Sequence, residues 1–239
     1  MTKVLIVMSA ADTWVRTDGS EYATGYWAEE IGAPYEVFTT AGYIVDFASP
    51  GGVRQPLDEH SADPAIAGPN CGHWVDVVEG ALREYGPLER LEDVDLDGYD
   101  AVVVPGGHGP VIDLYEDAEL GRILRGADEA GKPIGAVCHG PAGLLSAVDA
   151  DGKWLFQGRR MTSFTDEEEQ IFGTAEGAPW LLETRLREMG AHFSGGPPFK
   201  QHNIVDGNVF TGQNPASSAQ MATDIVKLLE DRRAAGQQR

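Results

Sequence analysis

The chain has 239 residues, and its 18 basic and 38 acidic side chains give a formal net charge of −20. A surface this acidic repels phosphate backbones and anionic lipid headgroups, which disfavours nucleic acid and membranes as partners. The hydrophobic fraction of 42% and the charged fraction of 23% are ordinary for a globular protein and exclude a disordered chain. This length predicts one or two domains.

The sequence shows no sign of a membrane span or a secretion signal. No apolar run reaches the roughly 18 residues that a transmembrane helix needs, and the run at residues 4–8 is too short for a signal-peptide core. The only cysteines are Cys71 and Cys138, which excludes a disulfide framework. These features predict a cytoplasmic protein with reduced thiols.

Short apolar runs predict strands that are buried on both faces, at residues 4–7, 44–48, 101–104 and 133–137. Consecutive rather than alternating apolar positions are typical of a parallel sheet covered by helices. Helical patterns lie between and after them, at residues 23–38, 75–85, 117–130, 141–147 and 180–189. A turn signal at 205–209 predicts a hairpin, and Asn214 before Pro215 predicts the start of the last helix.

The alternation of strands and helices predicts an α/β fold of flavodoxin-like type, a three-layer sandwich with a mostly parallel sheet. Residues 49–98 and 151–200 interrupt this alternation. We therefore expect a single domain over residues 1–239, with an insertion or small accessory cap at about 49–98.

Cys138 is the most informative residue, because it directly follows a predicted buried strand. Residues 136–141 read AVCHGP, so a glycine and a proline begin a helix just after the cysteine. This is the cysteine counterpart of a nucleophile elbow, and helix N–H groups there favour the thiolate. The adjacent His139 is a candidate base. The alternative is a small buried hydrophobic residue.

The glycine-rich loop at residues 105–109 follows another predicted strand. If neighbouring parallel strands place it beside Cys138, N–H groups near Gly107 and His108 and the N–H of His139 form an oxyanion or substrate-binding site. A dinucleotide site is disfavoured, because Ile112 stands where the third glycine of G-x-G-x-x-G is required. A plain tight turn is the remaining alternative.

Carboxylates supply further candidates. Glu30 shares a predicted apolar helix face with Tyr26, Trp27 and Pro34. A carboxylate on such a face is paired with another group, extends its charged tip into solvent, or has a function. Burial would raise its pKa and make it a proton donor near neutral pH. Residues 166–169 read DEEE and form either an acidic helix start or the source of a group that orients His139. The sequence alone does not show which of these four carboxylates would orient His139.

Two other sets are weaker candidates. Cys71 has no strand before it and nothing nearby that lowers a thiol pKa, which favours a spectator role. His60 and His73, with acidic residues 58–59, match no structural zinc spacing, so no metal site is predicted.

These motifs together resemble a known family. Residues 3–6, 25–30, 58–61, 106–109, 136–141, 164–166 and 211–218 resemble the PfpI-type branch of the class I glutamine-amidotransferase-like superfamily, which includes the parkinsonism-associated deglycase. Within it, the chain is most similar to the group of glyoxalase III and the related heat-shock-type chaperones. The strings AVCHGP and GQNPAS carry most of the specificity.

The resemblance implies roles for individual residues. Cys138 is the nucleophile, His139 is its base, and Glu30 is an acid beside the thiol. The acid behind His139 is Glu169 by position, with Asp166 as the competitor.

The glutaminases of the same superfamily place their histidine in a downstream His-x-Glu string. Here His192 and His202 are followed two residues later by Ser194 and Ile204. Glutamine hydrolysis is therefore disfavoured.

We expect a cofactor-independent enzyme of glyoxalase III type, which converts methylglyoxal or a similar 2-oxoaldehyde into a 2-hydroxy acid such as D-lactate. Its partner is then a small-molecule substrate, and no metal or cofactor is expected. Two other classes stay open: a holdase chaperone or protein deglycase, and another cysteine-dependent hydrolase or hydratase. The resemblance also implies a homodimer.

Overall fold

The computed structural model describes residues 1–237. Its strands are β1 (Lys3–Val7), β2 (Thr13–Val15), β3 (Glu21–Ala23), β4 (Ile44–Ser49), β5 (Glu89–Arg90), β6 (Ala101–Val104), β7 (Ile134–Val137), β8 (Arg160–Met161), β9 (His192–Phe193), β10 (Asn203–Asp206) and β11 (Val209–Gly212). Its α-helices are α1 (Ala28–Thr40), α2 (Pro64–Ala67), α3 (Cys71–Tyr85), α4 (Ala118–Glu129), α5 (Asp166–Phe172), α6 (Leu182–Glu188) and α7 (Ser218–Gln237).

A seven-stranded sheet runs through the described part of the chain, in the order β10-β11-β7-β6-β1-β4-β5. Adjacent strands of this sheet are parallel, except that β10 is antiparallel to β11. Helices α1, α3 and α7 pack together on one face, while α4 and a 3-10 helix (Gly140–Ser146) cover the other. The predicted three-layer α/β fold with a mostly parallel sheet is confirmed.

Strand β1 shows why the strands read as continuous apolar runs. Val4 and Ile6 lie in the core beneath α1, α3 and α7, whereas Leu5 and Val7 lie in the core on the opposite face. Successive side chains of a strand point to opposite faces, so a strand covered on both sides must be apolar at every position.

Three helical segments differ from their predictions. Helix α3 begins at Cys71 instead of residue 75. Helix α1 begins at Ala28 instead of residue 23, because residues 21–23 form β3 and the backbone of Tyr26 pairs with Pro56 and Asp58. The α-helix predicted at 141–147 is instead the 3-10 helix, the tighter form that short segments adopt.

The hairpin predicted at 205–209 is present as β10 and β11. Asn214 does precede a helical segment, a 3-10 turn (Pro215–Ser217) that leads into α7. However, its side chain does not cap that segment; the amide donates to Glu168 Oε1 and to the carbonyl of Lys200, each at 2.8 Å.

The segment predicted as an insertion, residues 49–98, is tied to the central layers. Its helix α3 packs on α1, and β5 pairs with β4 at the edge of the sheet. The division into one domain with a cap stays a prediction. Across residues 1–237, no helix combines the length and apolarity that crossing a membrane requires.

Candidate active site

Cys138 occupies a strained turn at the carboxyl end of β7. Its φ of 59° lies in the left-handed region, which costs a non-glycine residue energy and is typical of functional sites. Two backbone hydrogen bonds hold it there: its N–H donates to Gly212 O at 2.9 Å, and its C=O accepts from Phe164 N at 2.8 Å. The side chain is 5% exposed and lines a cavity of about 360 Å³.

Glycines allow the loops around this turn to come together. A Cβ atom on Gly140 would lie 2.0 Å from the carbonyl oxygen of Val104, and one on Gly106 would lie 2.6 Å from Glu30 Oε2. Both separations are far below contact distance. The turn after β7 and the loop after β6 can therefore meet only with glycine at these positions, as adjacent parallel strands require.

His139 links the thiol to a carboxylate. Its Nδ1 lies 3.4 Å from Cys138 Sγ, and its Nε2 lies 2.7 Å from Glu169 Oε2. The other oxygen of Glu169 contacts His108 Nε2 at 2.9 Å and accepts from the Thr174 hydroxyl. The structure thus places Glu169, on α5, behind the histidine.

The hydrogen bonds assign the protons of this group. Burial would raise the pKa of Glu169, but its contacts with His139 and His108 outweigh burial and hold that pKa well below the usual range. Burial, followed by the charge of His108, lowers the pKa of His139. An ionised Glu169 accepts from both Nε2–H groups, so the unprotonated Nδ1 of a neutral His139 faces the sulfur.

Glu30 lies beside the Cys138 thiol, and its surroundings shift its pKa in the direction opposite to that of Glu169. It is fully buried in the first turn of α1, where Oε2 accepts from Gly106 N at 2.7 Å. Within residues 1–237, Oε1 has no hydrogen-bond partner of regular geometry, and the Cys138 thiol is its polar neighbour. Burial raises the pKa of Glu30 to about 8, so this carboxyl group holds a proton at neutral pH.

The expectation that a helix start favours the Cys138 thiolate is not met. Burial raises the pKa of the Cys138 thiol, and this effect is present while Glu30 is neutral. The following 3-10 helix is a short segment, and it does not offset the loss of water. In the resting site the sulfur is therefore protonated, and its ionisation requires transfer of the proton to His139.

The loop predicted to bind an oxyanion packs against Cys138, since a Cβ atom on Gly106 would lie 3.0 Å from Cys138 Cβ. Gly107 adopts a φ of 76°, and Gly107, His108 and His139 line the cavity beside Cys138. In the described part of the chain, the backbone N–H groups of Gly107 and His139 donate to no protein group. Both therefore remain available to a substrate oxygen.

Several residues that complete the site were not predicted. Trp14, in the β2–β3 hairpin, stacks on His108 with ring centroids 5.0 Å apart, and Thr174 contacts Glu169 from the segment after α5. Phe172 and Phe199 contribute aromatic walls to the cavity. The sequence around these residues contains no motif that signals such roles, since they belong to segments whose approach depends on tertiary packing.

Other candidates lie outside the site. The Asp166 carboxylate turns away from His139 and accepts from the Thr184 hydroxyl. The Cys71 thiol is buried and donates to Ala62 O at 3.3 Å. His60 and His73 do not share a site: His60 Nδ1 contacts Asp58 at 3.0 Å, and His73 Nε2 contacts Glu36 at 3.1 Å.

The His108, His139 and Glu169 side chains offer donor atoms within 4.8 Å of one another, as a metal site does. Two histidines and a carboxylate are common ligands of zinc and of other transition metals. However, each Nε2 points at a separate oxygen of Glu169 at hydrogen-bond distance. The geometry is that of one carboxylate that accepts from two imidazoles.

The fold and the site define an α/β protein with a cysteine at the turn after a central parallel strand, flanked by a histidine and two buried carboxyl groups. The chain belongs to the DJ-1/PfpI family, whose sequence pattern it matches over residues 22–228.

Two relatives whose names describe glyoxalases are similar over nearly their full length. "Glyoxalase 3" of Candida albicans is 28% identical, with 96% of this chain and 99% of that protein covered. "Glutathione-independent glyoxalase HSP31" of Saccharomyces cerevisiae is 27% identical, with 96% and 98% covered. The crystal structure of glyoxalase III from Candida albicans matches with a TM-score of 0.81 at 28% identity, over 95% of this chain and 96% of that one.

Proposed function

We propose that this protein is a cofactor-independent glyoxalase, which converts a 2-oxoaldehyde such as methylglyoxal into the 2-hydroxy acid, D-lactate in that case. One observation carries the proposal: a cysteine at a cavity stands between a carboxyl group that holds a proton, Glu30, and a neutral histidine that can accept one, His139. The overall reaction adds water and needs no external oxidant or reductant.

The first step forms a bond between sulfur and carbon. Cys138 Sγ attacks the aldehyde carbon while its proton passes to His139 Nδ1, 3.4 Å away. Glu169 stabilises the resulting imidazolium from Nε2. The aldehyde oxygen becomes an oxyanion, which the N–H groups of Gly107 and His139 and the protonated Glu30 stabilise as the hemithioacetal forms.

The second step moves a proton between the two substrate carbons. After the imidazolium gives its proton to the hemithioacetal oxyanion, His139 removes the hydrogen of the former aldehyde carbon as a proton and returns it to the neighbouring carbon through an enediol. Glu30 exchanges a proton with the substrate oxygens in the same step. The product is a thioester of the 2-hydroxy acid on Cys138. Water cleaves this thioester, which releases the acid and restores the thiol.

The relatives support the reaction class. The proteins from Candida albicans and Saccharomyces cerevisiae are named as glyoxalases, and the second name specifies independence from glutathione. A glyoxalase that does not use glutathione needs a thiol of its own to form the hemithioacetal. Cys138, a free cysteine, can supply that thiol.

The test is formation of D-lactate from methylglyoxal without glutathione, measured on the wild type and on Cys138→Ser. We expect turnover by the wild type and a loss of roughly a thousandfold or more in the variant, because the nucleophile starts the reaction. Cys71→Ser is the matched control and retains activity. A folded wild type without turnover, or turnover that persists in Cys138→Ser, would contradict the proposal.

A holdase role is a second candidate, favoured by apolar side chains at the cavity mouth. Ile66, Ile171 and Phe199 are 46%, 59% and 41% exposed, and exposed apolar groups of this kind can bind unfolded chains. Suppression of aggregation of a heated client protein would then survive Cys138→Ala. If suppression fell together with turnover, the cysteine would be responsible for both, contrary to a holdase surface.

A further inference from the structure

The catalytic groups occupy only one part of the cavity. Cys138, His139, His108 and the backbone of Gly107 form its polar end. The remaining wall is mostly apolar and aromatic, and it is formed by Trp27, Ile66, Phe164, Ile171, Phe172 and Phe199. A substrate held at the sulfur would therefore have its other end against aromatic rings.

The cavity is larger than the simplest 2-oxoaldehyde requires. Its volume of about 360 Å³ falls within the range of roughly 300–1,000 Å³ that is typical of sites for drug-sized ligands. Methylglyoxal carries a single methyl group beside its two carbonyls and would leave most of the apolar wall in contact with water. A larger apolar substituent would displace that water and add favourable burial.

The described cavity wall disfavours substrates with an anionic substituent. Among the described residues that line the cavity, none is a lysine or arginine, and Glu29 contributes a carboxyl group. The protein as a whole carries a net charge of −20. A dicarbonyl with a phosphate or carboxylate group would find no cation to pair with, so the substituent that fits is neutral.

Phe199 is held in place by a network of hydrogen bonds. Its φ of 56° lies in the left-handed region, and its N–H donates to Glu168 Oε1 at 2.7 Å. The Asn214 amide donates to the same oxygen at 2.8 Å, and Glu168 itself is fully buried. The ring then packs on Phe164 with centroids 6.1 Å apart. This wall is a built feature, since a buried carboxylate fixes the strained residue that forms it.

We propose that the preferred substrates are neutral 2-oxoaldehydes with an aromatic or similarly bulky apolar substituent, and that Phe199 and Ile171 determine this preference. The inference rests on the proposed glyoxalase function. The aldehyde carbon lies at Cys138, and the substituent packs between the rings of Phe164, Phe172 and Phe199. The chemistry is unchanged: water is added, and an aryl 2-oxoaldehyde yields the aryl 2-hydroxy acid.

The test compares kcat/KM for phenylglyoxal, with mandelate as the product, and for methylglyoxal, with lactate as the product. We expect the wild type to prefer phenylglyoxal by about tenfold or more, since the phenyl ring buries much more apolar surface than a methyl group. In Phe199→Ala the ratio of the two kcat/KM values falls about fivefold or more, mainly through KM for phenylglyoxal. The ratio in each variant is compared with that of the wild type, which cancels the different intrinsic reactivity of the two aldehydes.

A second variant and a control keep the test independent of folding. Ile171 is 59% exposed, so Ile171→Ala leaves the core intact and lowers the same ratio by a smaller factor. Val205→Ala, on β10 and outside the cavity, leaves the ratio unchanged. If the wild type turned over methylglyoxal as well as or better than phenylglyoxal, or if neither wall variant changed the ratio, the inference would fail while the glyoxalase function stood. If neither aldehyde were turned over, the proposed function itself would fail.

Discussion

Glu30 and Glu169 are buried carboxyl groups at the same cysteine–histidine pair, the first beside the thiol and the second beside the imidazole, yet only Glu169 is ionised at neutral pH. Glu169 accepts from two imidazoles and a hydroxyl, and its pKa is held well below the usual range. Glu30 accepts from one backbone N–H, and burial raises its pKa to about 8. The difference shows that the neighbours of each carboxyl group, two imidazoles at Glu169 and one backbone N–H at Glu30, decide which of two buried carboxyl groups ionises.

In the proposed mechanism, this contrast assigns the chemical roles. The ionised Glu169 orients His139 and stabilises its positive charge, so the histidine can act as a base. The protonated Glu30 can donate to the sulfur or to a substrate oxygen. Acid and base are thus separated by their surroundings although both carboxyl groups belong to glutamates.

The largest expected effect is on stability and concerns Glu30. Between its ordinary pKa of about 4.5 and its folded value of about 8, the folded state keeps a proton that the unfolded state has released. Stability therefore falls with rising pH by about 1.4 kcal/mol per pH unit for this group, several kcal/mol over the window. Urea unfolding of the wild type and Glu30→Gln at a series of pH values measures this difference. Parallel stability curves for the two proteins would contradict the raised pKa.

Next in size is the loss of the orienting carboxylate. Glu169→Gln should lower kcat/KM for methylglyoxal by about a hundredfold, or about 2.7 kcal/mol, because His139 loses the charge that stabilises its imidazolium. Asp166→Asn, in the same helix but directed at Thr184, is the matched control and changes the rate by less than about threefold. Equal effects of the two substitutions would show that Glu169 has no special role.

A smaller effect is expected on the acid side. Glu30→Gln should lower kcat/KM at least tenfold, about 1.4 kcal/mol, because the amide cannot exchange a proton with the substrate. In the wild type, activity falls as pH rises through about 8, where Glu30 ionises, and the variant loses that limb of the pH profile. Glu36→Gln, on the same helix, serves as the control. An unchanged rate in Glu30→Gln would remove this residue from the mechanism.

The smallest effect concerns the third donor to Glu169. Thr174→Val removes the hydroxyl that donates to Oε1 and should lower kcat/KM by about threefold to tenfold. Thr174→Ser keeps the hydroxyl and should restore the rate. If valine and serine behaved alike, the methyl group rather than the hydrogen bond would account for the role of Thr174.

The sequence allowed most of the fold to be predicted, because the signals are local. Each buried parallel strand is a short apolar run, and the GP pair after Cys138 marks the turn that follows β7. The exceptions arise from contacts between distant segments. The β2–β3 hairpin delays the start of α1, and the helix predicted at 141–147 is instead the fully buried 3-10 helix Gly140–Ser146.

The candidate site could be predicted only in part. Cys138 and His139 are neighbours in one motif, and helical phase singled out Glu30. Asp166 and Glu169 are three residues apart on one helix, so only the packing of α5 decides which of them meets His139. The charge of the thiol was predicted wrongly for the same reason, since the burial that raises its pKa depends on tertiary packing and outweighs the local helix start.

The most direct measurement of the contrast between the two carboxyl groups is infrared difference spectroscopy of the protein across a pH titration, in the C=O stretch region of protonated carboxyl groups. The account predicts a buried carboxylic acid band near neutral pH that disappears with a midpoint of about 8, remains in Glu169→Gln and is missing in Glu30→Gln. Absence of the band from the wild type near neutral pH, or its persistence in Glu30→Gln, would contradict a protonated Glu30 beside Cys138.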